Sequence, residues 1–495
     1  MWRSKLASSL MQFVADQTLF AKPRSRRLKR QQRSSGTEQL EVRQLLTGDV
    51  EFALQTVGAF VSESAVDSSG NSYIAGVFSG VVDFDPGPGI QNRISASGQD
   101  IFVAKYSSAG SFIWAKTLSL ASVRGMDVDD TGSVYLTGDF NNTRDFDPGT
   151  GVSNMTTQGT RDVYVLKLES AGNFIWSRRF GMAEVGQSPE LSVAGIAVSP
   201  AGDVRLSGGF YGTVDFDPSN SVANLTTPGS TSNDIYVLAL NSAGIYQWAR
   251  QIRTGTVSSI AVDAEGTTHV TGYFGGTLTT SSSGTVQFTP NNSVTSAGLT
   301  DGFVTRFSRD GTENWTMRFG GAGHDGATGI AASDTHGIVV VGTFSNEAFF
   351  GTQRLTAAGT SSFIVRMNEF GQPLWARAIN TNPESAFTIS GAILDVAFGP
   401  NGQIFAAGTA RGTVDLDPGS GVFRITSGPA TEAFVSVLDS DGVFLWGRAT
   451  KTTGGAFVSG LAATATGEVI LSGFFTGIGD FDGGPGLRCQ EFAIA

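Results

Sequence analysis

One unit recurs seven times along this chain, and a period of 60–70 residues leaves few folds open. Aligned on Gly76, Gly138, Gly208, Gly272, Gly342, Gly408 and Gly473, the units follow one another at 62, 70, 64, 70, 66 and 65 residues. Each of these glycines lies in an alternating apolar run, as in Ser72-Tyr73-Ile74-Ala75-Gly76-Val77-Phe78. About ten residues upstream comes a shorter apolar strand, such as Gly195-Ile196-Ala197-Val198 or Ser259-Ile260-Ala261-Val262. Between the two sits Gly70, Gly132, Gly202, Gly266, Gly402 or Gly467, where a tight hairpin needs positive φ. The fifth unit, with Thr335-His336-Gly337, moves that glycine by about one place.

A third strand follows in each unit, as in Asp100-Ile101-Phe102-Val103-Ala104-Lys105. A fourth carries Gly and Trp four apart: Gly110 and Trp114, Gly172 and Trp176, Gly244 and Trp248, Gly311 and Trp315, Gly371 and Trp375, Gly442 and Trp446. Four antiparallel strands per unit predict an all-β, seven-bladed β-propeller, with blades at about 59–120, 121–183, 184–255, 256–321, 322–381 and 382–452. The last blade, 453–495, stops at a third strand, Phe492-Ala493-Ile494-Ala495, and residues 49–58 supply its fourth. Val50 to Val57 aligns with Phe112 to Ser119, with Phe52 in the Trp place, so the N-terminal strand is expected to close the ring on the C-terminal blade. The composition agrees: 65 Gly and 16% charged residues suit short strands and tight turns and argue against a helical bundle.

Charge divides the chain. Residues 1–48 hold 10 Lys or Arg and 3 Asp or Glu, which leaves 23 basic and 41 acidic residues for 49–495. So acidic a body repels nucleic acid and anionic lipid. No run of about 18 apolar residues is present to span a membrane, and the single Cys489 excludes an internal disulfide framework. The basic run Lys22 to Arg30 reads as part of a leader, 1–48, that is removed or disordered.

Two resemblances follow from these residues. Leu40-Glu41-Val42-Arg43-Gln44-Leu45-Leu46 resembles the L-E-x-R-x-L-L leader of exported planctomycete proteins, which implies an extracellular or cell-surface destination. Residues 49–495 resemble the bacterial beta-propeller repeat (SBBP) family, whose units read G-I-A-V-D-x-x-G-N-x-Y-V-x-G-x-F and D-x-F-V-x-K-L-x-x-x-G-x-x-x-W. That resemblance implies the fold and a surface or secreted module without an established activity. The G-x-x-x-W strand is also similar to the tryptophan-docking repeats of quinoprotein dehydrogenases. One cysteine cannot supply the vicinal pair usual there, so the tryptophans are expected to pack blade against blade.

The loop after the second strand carries the chemistry. It pairs Asp83 with Asp85, Asp145 with Asp147, Asp215 with Asp217, Asp415 with Asp417 and Asp480 with Asp482, each pair flanking Phe or Leu. Residues two apart in an extended segment share a face, so the carboxylates converge while the apolar residue turns inward. Carboxylates with nearby turn carbonyls are ligands that Ca²⁺ prefers, so these ten Asp are the candidate metal site and calcium the candidate cofactor. The competing reading is that each Asp accepts backbone N–H groups and fixes its turn. The fourth and fifth units lack the motif, leaving an acidic arc over units six, seven, one, two and three.

His269, His324 and His336 are too scattered for a metal cluster, and His324 is expected in an exposed turn. No nucleophile elbow and no phosphate-cradling loop is present, so no catalytic residue is assigned. The expected protein is a monomeric, non-catalytic binding or scaffold module for a protein or polysaccharide at its loop face. The alternative is a secreted carbohydrate-active hydrolase or lyase using rim Asp residues; a further alternative is a periplasmic assembly scaffold.

Overall fold

The computed structural model describes residues 38–480 except 47–48, 97, 120–121, 183–190, 228–233, 282–292, 380–391 and 429. Among these residues there is no α-helix, only a 3₁₀ turn at Pro400–Gly402, and no helix is long and apolar enough to cross a membrane. The chain folds as an all-β propeller.

Six blades are each one contiguous stretch of chain, a four-stranded antiparallel meander. The first runs Ala59–Val66, Ser72–Phe78, Asp100–Tyr106, Phe112–Leu118. The others begin at Gly125, Gly195, Thr256, Gly326 and Ala392. Second and third strands such as Val134–Phe140, Asp100–Tyr106, Asp162–Leu168 and Asp234–Leu240 are buried along their whole length, so their apolar runs face neighbouring blades on both sides. The hairpin glycines between first and second strands have positive φ, +75° at Gly132, as the turn requires.

The second-strand glycine has a packing reason. In five of the first strands a bulge, between Val61 and Glu63 in the first blade, brings a carbonyl toward this glycine. A Cβ on Gly76 would lie 1.9 Å from the Phe60 carbonyl oxygen, and on Gly208 1.9 Å from that of Ser192. No side chain fits there, which fixes the residue type.

The repeat predicts seven blades, and the structure forms six from contiguous sequence. The seventh unit differs because its own chain supplies only two inner strands within the described residues, Gly455–Ala463 and Val469–Thr476. Its sheet is completed from the other end of the chain, in the order Asp49–Val57, Glu38–Leu46, Val469–Thr476, Gly455–Ala463. Glu38–Leu46, which charge and motif assign to the leader, is thus a paired strand, in the place expected for Phe492 to Ala495. Those C-terminal residues and Cys489 lie outside the described part, as do residues 1–37.

Outer hairpins decorate the blades, as at Val81–Asp83 with Asn92–Ile94 and Thr143–Asp145 with Asn154–Thr156. The fifth blade instead extends its middle strands into a long hairpin, Gly337–Phe350 with Gln353–Met367, closed by an ion pair between Arg354 and Glu347.

Candidate functional site

The acidic loops build themselves from their own carboxylates. Asp83 Oδ1 accepts the backbone N–H of Asp85 at 3.1 Å and of Gln91 at 2.7 Å, tying both arms of the loop together. Asp145 does the same for Asp147 and Ser153, Asp215 for Asp217 and Ala223, and Asp415 for Asp417 and Phe423. The second Asp of each pair accepts the N–H two residues on, 2.7 Å for Asp147 to Gly149. The intervening Phe84, Phe146, Phe216 and Leu416 are buried. Carboxylate and apolar residue thus do the two jobs that alternation predicts.

The loops do not bring their carboxylates into a shared cluster: among the described residues no three His, Cys, Asp or Glu side chains are grouped to hold a metal ion. Asp480 lies in a two-residue strand paired with Lys451–Thr452, and Asp482 falls outside the described residues. At the loop tips, seven residues past the first Asp, sit Ile90, Val152, Val222 and Val422, 66–74% exposed. Four aliphatic groups thus stand exposed at one repeated loop position.

The tryptophans join blades. Trp114 Nε1–H donates to the Ser170 carbonyl, Trp176 to Ser242, Trp248 to Arg309, Trp315 to Glu369 and Trp375 to Ser440, at 2.8–3.2 Å. Every acceptor lies in the turn of the next blade, beside its own Gly-x-x-x-Trp glycine. A second layer of ties is polar and buried. The Tyr73 hydroxyl lies 3.0 Å from Asp67 Oδ2 and 3.2 Å from the Gly132 carbonyl of the next blade, with Lys105 Nζ 3.3 Å from the same carboxylate. Burial alone would raise Asp67, but hydrogen bonds from Asn71 and Tyr73 and the Lys105 charge outweigh it and hold the carboxyl below its usual range. Asp129, Tyr135 and Lys167 repeat the set. In the third blade Arg205 takes over, reaching Thr268 Oγ1 and the Gly266 carbonyl.

Sequence reasoning missed the centre of the disc. A cavity of about 490 Å³ is lined by first-strand residues around the axis, among them Glu63, Arg124, Asp127, Ile196, Ser259 and Asp395. Aligned on the bulge, Glu63 and Asp395 stand where other units have Gly125, Gly195, Ser259, Gly329 and Gly460. Asp127 stands where they have Ala65, Ala197, Ala261, Ala331, Ala397 and Ala462. These three carboxylates break the repeat, and that break was the readable signal.

Loss of water pushes Glu63 up to about 8, with Asp395 adding to the rise and Arg124 opposing it. Asp127 is pushed up to about 7 and Asp395 to about 6, again chiefly by burial. Both Asp residues also clip blades: Asp127 accepts the N–H of Val198 at 2.7 Å, and Asp395 that of Leu461 at 2.9 Å. His269 is buried 3.6 Å from Asp263, and burial lowers its pKa despite that partner. His324 is exposed.

No family model matches the chain. Among curated proteins it is similar to an uncharacterized WD repeat-containing protein, L264, of Acanthamoeba polyphaga mimivirus, 26% identical over 187 residues. That match covers 36% of this chain and 13% of the relative. It is also similar to the regulatory protein FlaEY of Caulobacter vibrioides, 24% identical over 379 residues, covering 72% of this chain and 37% of the relative. The chain therefore spans well under half of either protein. Among solved structures, that of the Dos1 propeller aligns over 88% of this chain and 95% of its own, with a TM-score of 0.35 and 9% identity.

Proposed function

We propose that the chain is a non-catalytic binding module, a monomeric ring of seven blades exported to the cell surface or beyond, which engages a partner through its acidic loop face. The observation that carries the binding reading is the set of exposed Ile90, Val152, Val222 and Val422 at one position of loops whose shape is fixed by carboxylates. Apolar tips ringed by acid suit a protein partner with a basic, apolar face better than a polysaccharide. Support for seven blades comes from the central cavity, which is lined by seven first strands, including Gly455–Ala463. The similarity to a WD repeat-containing protein supports a scaffold role.

The test is binding of the labelled protein to the surface of its source cells. Ile90→Ser, Val152→Ser and Val222→Ser together should abolish binding while leaving the melting temperature unchanged. Equal binding by this variant would refute the reading. Calcium, if taken, is held at the same loops by Asp85, Asp147, Asp217 and Asp417 with turn carbonyls. Saturating Ca²⁺ at a hundredfold over Kd should then add about 2.7 kcal/mol of stability, absent with Mg²⁺ and in Asp145→Asn with Asp147→Asn.

The carbohydrate-active alternative finds its support at the centre, not at the rim. A carboxyl held protonated near neutral pH is the form a general acid needs, and Glu63 meets that condition inside a concave site. Polysaccharide turnover that Glu63→Gln abolishes would favour this reading over the binding module.

A further inference from the structure

The seam between the second and third blades holds an open pocket of about 430 Å³, whose lining shares no residue with the loop tips or the central cavity. Its floor is the outer strand of the second blade, Phe174–Met182, where Ser177, Arg179 and Gly181 alternate onto one face. One wall is that blade's own hairpin, with Met155 and Thr156. The other is the acidic loop of the third blade, with Asp215, Asp217 and Ser219, seated because Asp215 pairs with Gly181 and Val214 with Met182. Other seams differ. In the first blade Arg93 stands in the place of Met155, and its Nε and Nη2 donate to the Ala115 carbonyl at 3.1 and 3.0 Å. In the third, Leu225 in that place is fully buried. The fourth shares the floor pair, as Thr316 and Arg318, but meets the long hairpin of the fifth blade, bridged from Gly320 to Phe349, in place of an acidic loop. The sixth keeps a smaller hollow of about 200 Å³, with Gly447 and Ala449 where the second blade has Ser177 and Arg179.

The lining is mixed in charge, and its groups are positioned by the fold itself. Arg179 is half-buried, with Nη1 2.7 Å from Oδ2 of the fully buried Asp162. Arg178 beside it donates to the carbonyls of Ala243 and Gly244 and lies over the Trp176 ring. Opposite them, Asp215 and Asp217 bind the loop's own N–H groups through Oδ1, and Oδ2 of each remains an acceptor. A ligand with one net charge meets attraction on one wall and repulsion on the other. An apolar ligand strips water from these charges and returns no hydrogen bond. A sugar hydroxyl both donates and accepts, so adjacent hydroxyls satisfy Asp and Arg side by side. We propose that the pocket between the second and third blades is a binding site for a neutral saccharide unit, whose hydroxyls donate to Asp217 and accept from Arg179. Its volume falls within the range of roughly 300–1,000 Å³ typical of small-ligand sites. The proposal is independent of the reading of the loop tips as a protein-binding face.

Calorimetric titration of the full-length protein with maltotriose, cellotriose and tri-N-acetylchitotriose is the test. Saturable binding to at least one of them is expected. Met155→Arg copies the plug that Arg93 provides in the first blade and should weaken that binding by about tenfold or more. Asp217→Asn keeps an acceptor for the Ser219 N–H but exchanges Oδ2 for an amide donor. It should weaken binding several-fold and leave the melting temperature unchanged. Ile90→Ser with Val152→Ser and Val222→Ser should bind the trisaccharide as wild type does, so the loop-tip reading and this one fail separately. If no trisaccharide binds, or if both pocket variants bind it like wild type, the proposal is refuted. Binding of glycylglycine in place of any saccharide would assign the pocket to a zwitterion and refute it equally.

Discussion

The indole N–H of Trp114 donates to the Ser170 carbonyl at 3.0 Å, and its ring lies against Gly172; in the same way blades two to six each form the socket for the tryptophan of the blade before. The two repeated halves of Gly-x-x-x-Trp therefore face different neighbours. A Cβ at Gly311 would come within 2.5 Å of the Trp248 ring, at a φ of +79°. We expect Trp248→Ala to cost about 3–5 kcal/mol in urea unfolding. Gly311→Ala should cost more than about 1 kcal/mol, through both clash and backbone strain. Combining the two should cost less than their sum, because the clash disappears with the ring.

The buried ion pair of Lys167 with Asp129 inside the second blade behaves differently from the exposed Arg354–Glu347 pair. Lys167→Met leaves the Asp129 carboxylate buried without its cation and should cost about 3–5 kcal/mol. Lys167→Met with Asp129→Asn should recover much of that loss. Arg354→Ala should change stability by less than about 1 kcal/mol. Thermal melts of the three variants, read against wild type, check the ordering.

The central carboxyls set the pH dependence. Glu63, Asp127 and Asp395 bind protons more tightly folded than unfolded, so between about 4.5 and 8 the folded state holds more protons and stability falls as pH rises. Asp67, Asp129 and Asp263 are held low, and their contribution is lost only as pH falls below the ordinary carboxyl range. Maximum stability is therefore expected on the acid side of neutral. Glu63→Gln should flatten the decline between pH 5 and 8 and raise the melting temperature at pH 8. An unchanged slope would show that Glu63 ionises freely in the cavity.

Loop integrity depends on the first Asp more than the second. Asp145→Ala removes the acceptor of two N–H groups and should destabilise by about 1–3 kcal/mol, whereas Asp147→Ala removes one. Hydrogen exchange at Ser153 should accelerate in the first variant and stay near wild type in the second.

Much of this was legible in the chain itself. Strand positions, the turn glycines, the inward Phe of the acidic loops and the interlocking role of the tryptophans all follow from local alternation and a long period. The central carboxylates escaped notice because each differs from its repeat by one small-to-acid change, and only superposing the bulges shows Glu63, Asp127 and Asp395 entering one cavity. The ring closure was legible only in part, since Asp49–Val57 takes the expected fourth place while Glu38–Leu46 holds the third.

The sequence by itself determined the unit: which residues alternate, where the chain turns, and which side chains repeat often enough to be architecture. Those properties depend on neighbours a few residues away, and periodicity records them. The tertiary structure alone decided what meets across blades. It showed that Trp248 seats on Gly311 of the next unit, that Asp395 holds the N–H of Leu461, and that Gly473 faces Glu41 in place of an aromatic ring. Such contacts join residues some 60 or more positions apart, and a strand seat offers the same backbone groups to any segment of suitable length, so pattern alone does not choose its occupant.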